Sequence, residues 1–159
     1  MEEKQEKKKL KIALVTSSGG HLTHIMQLKD FWDKYDRFFV TFDKEDANSI
    51  LEDEKVYHCF YPTNRNFKNL LKNTRLAWKL LKKEKPDLII SSGAAIAIPF
   101  FFLGKVFFRK KCVYLEVFDR IDKGTLSGKF CYLFADKFFV QWEEQLKVYK
   151  KAINIGQIF

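Results

Sequence analysis

The sequence predicts an α/β fold: a Rossmann-like, mostly parallel sheet with helices on both faces. Two observations carry this. Short apolar runs alternate along the chain with segments of helical periodicity, the order that β-α-β units require. No internal repeat, low-complexity segment or linker interrupts that order, and 47% of the 159 residues are hydrophobic, enough for one ordinary core.

The elements follow in sequence. Residues 1–10 form a charged tail, and residues 11–159 read as a single domain. Lys11 to Thr16 (KIALVT) is a buried strand, and a Ser17-Ser18-Gly19-Gly20 turn leads into a helix from His21 to Trp32. Arg37 to Phe42 (RFFVTF) is a second strand, Lys44 to Leu51 a short helix, and Val56 to Tyr61 a third strand. Phe67 to Lys83 is a long amphipathic helix, stopped before Pro86 because a residue preceding proline avoids the helical region. Leu88 to Ser91 is a strand, and a helix from Pro99 to Phe108 places proline at its first position. Val113 to Glu116 (strand), Leu126 to Phe134 (helix), Lys137 to Val140 (strand) and Glu143 to Tyr149 (helix) follow, with Asn154 and Ile155 as a last short strand.

Composition narrows the partners. The net charge of +9 points to anionic ones, whether nucleic acid, membrane phosphates or a phosphorylated substrate. Seventeen phenylalanines exceed the needs of one small core and suggest apolar surface for a membrane or a partner. Three cysteines without a CxxC pair argue against a disulfide framework. The N-terminal stretch lacks the apolar region of a signal peptide, and no apolar run reaches the length of a membrane span. Lysine and arginine with aromatics raise RNA binding, but no RNP, KH or zinc-knuckle pattern appears, so nucleic acid is not expected.

In parallel sheets ligands bind beyond the carboxyl ends of the strands. The turns there are Ser17 to Gly20, Pro62 to Asn66, Ser92 to Ala95 and Glu116 to Gly124. Glycines at a helix N-terminus suit a phosphate or diphosphate. The dinucleotide fingerprint GxGxxG is absent, and GTLSGKF (Gly124 to Phe130) has one residue too few for a P-loop. His21 opens the helix at the first turn, either as a proton acceptor for a substrate hydroxyl or as a cap. His21 and His24 stand three apart, but no third ligand at metal spacing is visible, so neither a metal nor a cofactor is expected. Glu116 ends the fifth strand, where a carboxylate acts as a base, orients a hydroxyl or pairs with Arg120.

Two helices suggest a lipid surface. Lys68, Lys72, Arg75, Lys79 and Lys82 are spaced four, three, four and three, which puts them on one face, with Trp78 at its margin. Pro99 to Lys111 (PFFFLGKVFFRKK) is too apolar for an ordinary surface helix, so Phe101, Phe102 and Lys105 are also expected at a membrane. The alternative is a solvated lysine face and an unusually buried helix.

The blocks VTSSGGHLTHIMQL, YPTNRNFKNLLKN, PDLIISSGAAIAIPFFFLGK and YLEVFDRIDKGTLSGKFCYLFADKFFVQW, in that order, resemble the PssD-type bacterial polysaccharide-biosynthesis family. That family is similar to the membrane-anchor subunit of the eukaryotic enzyme that adds the second GlcNAc to dolichol diphosphate. It is also similar to the N-terminal half of MurG. The resemblance implies the N-terminal half of a GT-B glycosyltransferase, peripheral on the cytoplasmic face of the cell membrane. It implies two partners: a separate small UDP-sugar-binding glycosyltransferase subunit and a polyprenyl-diphosphate-linked saccharide. On this chain it makes His21 and Glu116 the candidate catalytic residues. Ser17, Ser18, Gly19, Gly20, Asn64, Arg65, Ser92 and Gly93 become the diphosphate site. Arg120 and the Gln141-Trp142 dipeptide become cleft or partner contacts. The sequence departs from the family at Val117-Phe118-Asp119-Arg120, where Ser-Phe-Ala-Arg is expected. The expected function is the acceptor-binding subunit of a two-chain transferase in capsule or exopolysaccharide synthesis, with little activity alone. The competing class is a non-catalytic scaffold that recruits and activates a catalytic subunit.

Overall fold

The computed structural model describes residues 9–158; most of the expected N-terminal tail, residues 1–8, lies outside them. Seven strands form one parallel sheet in the order β3-β2-β1-β4-β5-β6-β7. The strands are β1 (Lys11–Val15), β2 (Asp36–Phe42), β3 (Val56–Cys59), β4 (Leu88–Ser91), β5 (Lys111–Leu115), β6 (Lys137–Val140) and β7 (Ile153–Asn154). The helices are α1 (Gly20–Gln27), α2 (Lys29–Trp32), α3 (Glu45–Ile50), α4 (Phe67–Glu84), α5 (Ala97–Val106) and α6 (Leu126–Phe134), and a 3-10 turn spans Glu143–Lys147. The chain runs outward from β1 to β3, then α4 carries it back so that β4 pairs with β1 on the other side. Strand order reverses between β1 and β4, and there the crevice opens.

Both faces are covered. Leu22 and Ile25 of α1, Trp32 of α2 and Ala47 of α3 bury Ile12, Leu14, Phe39 and Ile90. On the other face α4, α5 and α6 bury Ala13, Val15, Phe38, Val40 and Phe138 with Ala77, Phe100 and Cys131. Right-handed crossovers keep every helix after the reversal on this second face. The first face over β4–β7 is left with an apolar hollow of about 360 Å³, lined by Leu28, Phe31, Val113, Leu115, Phe139 and Ile155 among others.

Several boundaries differ from the sequence reading for local reasons. The helix expected from His21 to Trp32 breaks at Leu28, because the Trp32 indole donates to the Ile25 carbonyl at 2.8 Å and the Leu28 amide takes the same oxygen. β3 stops at Cys59, since the Asn73 side chain takes both the amide and the carbonyl of Phe60. α5 begins two residues before Pro99, which lies in its first turn, where an amide has no intrahelical partner to lose. β5 starts at Lys111, β7 is Ile153–Asn154, and the last helical segment is the 3-10 turn. α4 ends as expected: Lys85 turns left-handed at φ 49° and Pro86 follows.

At the amino ends of the strands a buried carboxylate ties β1, β3 and α4 together. Glu84 accepts from Lys11 at 2.6 Å, from Lys55 at 3.0 Å and from the Tyr57 hydroxyl. Burial pushes its carboxyl up, but these hydrogen bonds outweigh burial and bring it down to about 2. A depressed carboxylate contributes stability above its unfolded value of about 4.3 and loses it as pH falls toward the folded value. Glu84→Gln should therefore cost about 3–5 kcal/mol at pH 7. The gap from the parent should close between about pH 5 and pH 2, read by urea denaturation across that range.

Candidate functional site

The crevice is a cavity of about 970 Å³ at the carboxyl ends of the strands. Ser17 and His21 enter it after β1, Asn64 and Arg65 after β3, and Arg120 and Ser127 after β5. Apolar side chains share its walls, among them Phe42, Ile98, Phe67 and Leu126. The last two are the most exposed phenylalanine and leucine of the described residues, at 72% and 84%. The cavity thus combines cationic and polar groups with exposed hydrocarbon at its rim.

The β1–β4 reversal is bridged by side chains. The Ser92 carbonyl only accepts, so His21 Nδ1 donates to it, at 2.9 Å, and Nε2 carries the lone pair. Ser92 Oγ returns a bond of 2.6 Å to the His21 carbonyl and lies 3.0 Å from Thr16 Oγ1. Burial lowers the His21 pKa and outweighs the opposing bond to Ser92; of its charged neighbours, Asp119 raises it and Arg120 lowers it. The lowered pKa favours the neutral imidazole, whose Nε2 lone pair can accept a proton. Gly93 closes the arrangement at φ 119°, and a Cβ there would stand 2.7 Å from the Tyr114 hydroxyl and 3.0 Å from His21 Cε1.

The other expected site residues divide. Ser17, Asn64, Arg65 and Arg120 share the cavity with His21, while Ser18, Gly19, Gly20, Ser92, Gly93, Gln141 and Trp142 lie outside its lining. Gly19, left-handed at φ 73°, gives its amide to Asp46 Oδ2 at 2.9 Å, so an internal carboxylate of α3 sits where an anion was expected. Glu116 is not presented to the cavity. It is fully buried, accepts from the Tyr149 hydroxyl at 2.8 Å and from the Val117 amide at 3.2 Å, and burial raises its pKa. Glu116 holds the loop between β5 and α6 from beneath. Gln141 and Trp142 buttress the same loop, donating to the carbonyls of Glu116 and Phe118.

His24 belongs to this set, and sequence reasoning missed its role. Nδ1 donates to the Gly20 carbonyl at 2.7 Å, and Nε2 accepts from the Phe118 amide at 3.0 Å. It pins the β5–α6 loop to α1, while His21, one turn away, faces Ser92. The spacing of three was legible, but the two rings do not converge on one ligand. Among the described residues no group of three His, Cys, Asp or Glu is placed to hold a metal ion.

The surface residues also divide. Lys68, Lys72, Arg75 and Lys79 are exposed along α4. Trp78 stands beside them, 44% exposed, with its edge on Phe107 and Phe108 of the α5 end. Phe102 is exposed, but Phe101 is fully buried against Tyr114, a correction that follows from its position on the sheet-facing side of α5. Lys105 is paired with Asp136 at 2.5 Å. Sequence reasoning missed Leu126 and Leu133 of α6, which extend the apolar rim. No helix among the described residues is long and apolar enough to cross a membrane.

The family described as "Oligosaccharide biosynthesis protein Alg14 like" matches residues 63–158, from the β3–α4 loop through the last strand. The chain belongs to the Alg14-like family. The human protein named UDP-N-acetylglucosamine transferase subunit ALG14 is 28% identical over 94% of this chain and 83% of its own length. Among solved structures, Acinetobacter baumannii MurG superposes with a TM-score of 0.70 at 14% identity, over 84% of this chain and 42% of that one. The UDP-N-acetylglucosamine 2-epimerase of Rickettsia bellii does so with a TM-score of 0.73 at 13% identity, over 94% and 45%. These likenesses show the fold, one half of a GT-B architecture. The Alg14-like chain spans less than half the length of these solved chains.

Two outcomes follow from the geometry. As pH falls below about 6.5 the unfolded chain takes up a proton that His21 resists, so stability falls. His21→Gln should flatten that part of the pH profile, and in the parent the His21 ring should titrate below the ordinary histidine range by NMR. Gly93→Ala should cost about 2–3 kcal/mol in thermal or denaturant unfolding, from strain at positive φ and from the close contact with Tyr114.

Proposed function

We propose that this chain is the acceptor-binding, membrane-associating subunit of a two-chain UDP-sugar glycosyltransferase. Its acceptor is a polyprenyl-diphosphate-linked sugar on the cytoplasmic face of the cell membrane, in capsule or exopolysaccharide synthesis. The observation that carries this reading is the cavity itself: Arg65 and Arg120 line the same space as His21, under a rim of exposed Phe67 and Leu126. A diphosphate needs the arginines, and a polyprenyl chain needs the rim. The human relative's name, a transferase subunit, supports placing the UDP-sugar site on a separate chain.

In this reading the acceptor hydroxyl attacks the anomeric carbon of the UDP-sugar. His21 Nε2 takes the hydroxyl proton as the new C–O bond forms, and UDP leaves with the electron pair of the broken bond. Arg65 and Arg120 hold the acceptor diphosphate. Glu116 acts through the loop it supports rather than on the substrate.

The burial of Glu116 favours a second reading, a scaffold with no chemistry of its own. Co-expression with a separate small UDP-sugar-binding glycosyltransferase subunit and a donor screen on lipid-linked acceptor separates the two. His21→Ala should lower turnover at least about 100-fold in an intact complex. Full activity would establish the scaffold. A parent chain that turned over UDP-sugar alone at the rate of the pair would overturn the split enzyme.

The lipid surface has its own measurement. Changing Lys72, Arg75 and Lys79 to glutamate should weaken binding to anionic vesicles at least about 100-fold, since each basic residue near the surface contributes about 1 kcal/mol. Vesicle binding of the parent should fall with added salt.

A further inference from the structure

We propose that the outer face of the α4–α5–α6 layer is seated in the bilayer interface, with α6 as its deepest element. The seat rests on the membrane-associating reading above and adds which helix enters the lipid and which way the cavity faces.

α6 is built the wrong way round for a helix on a wet surface, which turns its charged face outward. Its inner side buries Gly128 and Cys131. Its outer side presents Leu126 and Leu133, 84% and 74% exposed, with half-buried Phe130 between them. Spacings of four and three put these three on one stripe. Lys129 is the one charged residue of the helix.

The stripe continues across the layer, in which α5 packs against both α4 and α6. A line of aromatic rings runs from α6 over the end of α5 to α4. Phe130 meets Phe134 with ring centroids 5.2 Å apart, Phe134 meets Phe102 at 5.6 Å, Phe102 meets Phe107 at 6.1 Å and Phe107 meets Trp78 at 5.6 Å. Phe102, Phe107 and Trp78 are all exposed. A continuous apolar patch of this kind marks an interaction surface.

Charge decides what covers it. The only acidic residue of these three helices is Glu84, buried at the end of α4. Lys68, Lys72, Arg75 and Lys79 edge the patch on α4, all exposed. The helices of the other face carry Asp30, Glu45 and Asp46 instead. Protein interfaces are depleted of lysine, whereas an anionic headgroup layer over hydrocarbon takes the lysines and the rings together. Phe67 and Leu126, the first residues of α4 and α6, belong both to this face and to the cavity rim. The mouth of the cavity therefore opens at the lipid surface.

The test uses the full chain with an equal mixture of phosphatidylcholine and phosphatidylglycerol. In nanodiscs of these lipids carrying a spin label on the acyl chain, the methyl NMR signals of Leu126 and Leu133 should broaden. The methyl signals of Ile155, in the hollow on the opposite face, should stay sharp. Broadening at Ile155 instead overturns the seat. Leu126→Ser combined with Leu133→Ser should weaken vesicle binding in high salt, where headgroup attraction is screened, at least about 30-fold at unchanged melting temperature. Parent-like binding by this variant also overturns the seat. If glutamates at positions 72, 75 and 79 abolish binding while the Leu126 and Leu133 methyls of the bound parent stay sharp, the membrane reading stands and the seat falls. Methyls that stay sharp in lipid and shift on adding the small transferase subunit give the patch to that protein and overturn the seat. A parent that binds no vesicles at any salt overturns the membrane reading itself, and the seat with it.

Discussion

The site depends on the pair of bonds that join His21 to Ser92. A parallel sheet whose order reverses must part its loops at the reversal, and the loops after β1 and β4 turn away from each other there. Here the imidazole donates across the gap and the serine hydroxyl donates back. The cross-link fixes the tautomer of His21 and the position of the Gly93 turn in one step. Neither residue does this alone: the carbonyl orients the ring, and the ring's own backbone anchors the serine.

A second set of contacts carries that order outward. His24, on the same helix, binds the loop after β5. Glu116, Gln141 and Trp142 hold the same loop from the core side. The loop therefore stands between α1 and the end of β6, braced from both, and it delivers Arg120 and the start of α6 to the cavity. Most polar residues near the site contact backbone rather than open space. They are the supporting frame, and the groups that face the cavity are few.

Alternating strands and helices call for a parallel sheet covered on both faces, so the fold class was legible from the sequence, while the strand order was not. The α4 cation stripe was legible too, because helical periodicity fixes which residues share a face. What escaped was direction. Glu116 follows β5 as expected, but whether its side chain rises into the crevice or folds under the loop depends on Tyr149, thirty-three residues later. Phe101 and Phe102 are adjacent and chemically identical; only the docking of α5 on the sheet buries one and exposes the other. Asp46 reads as an ordinary first-turn acid until α3 is seen beside Gly19.

The apolar hollow over β4–β7 lies on the face opposite α4, α5 and α6. The chain therefore carries hydrocarbon on two surfaces that point in opposite directions, with one sheet between them. A flat bilayer can wet only one of them.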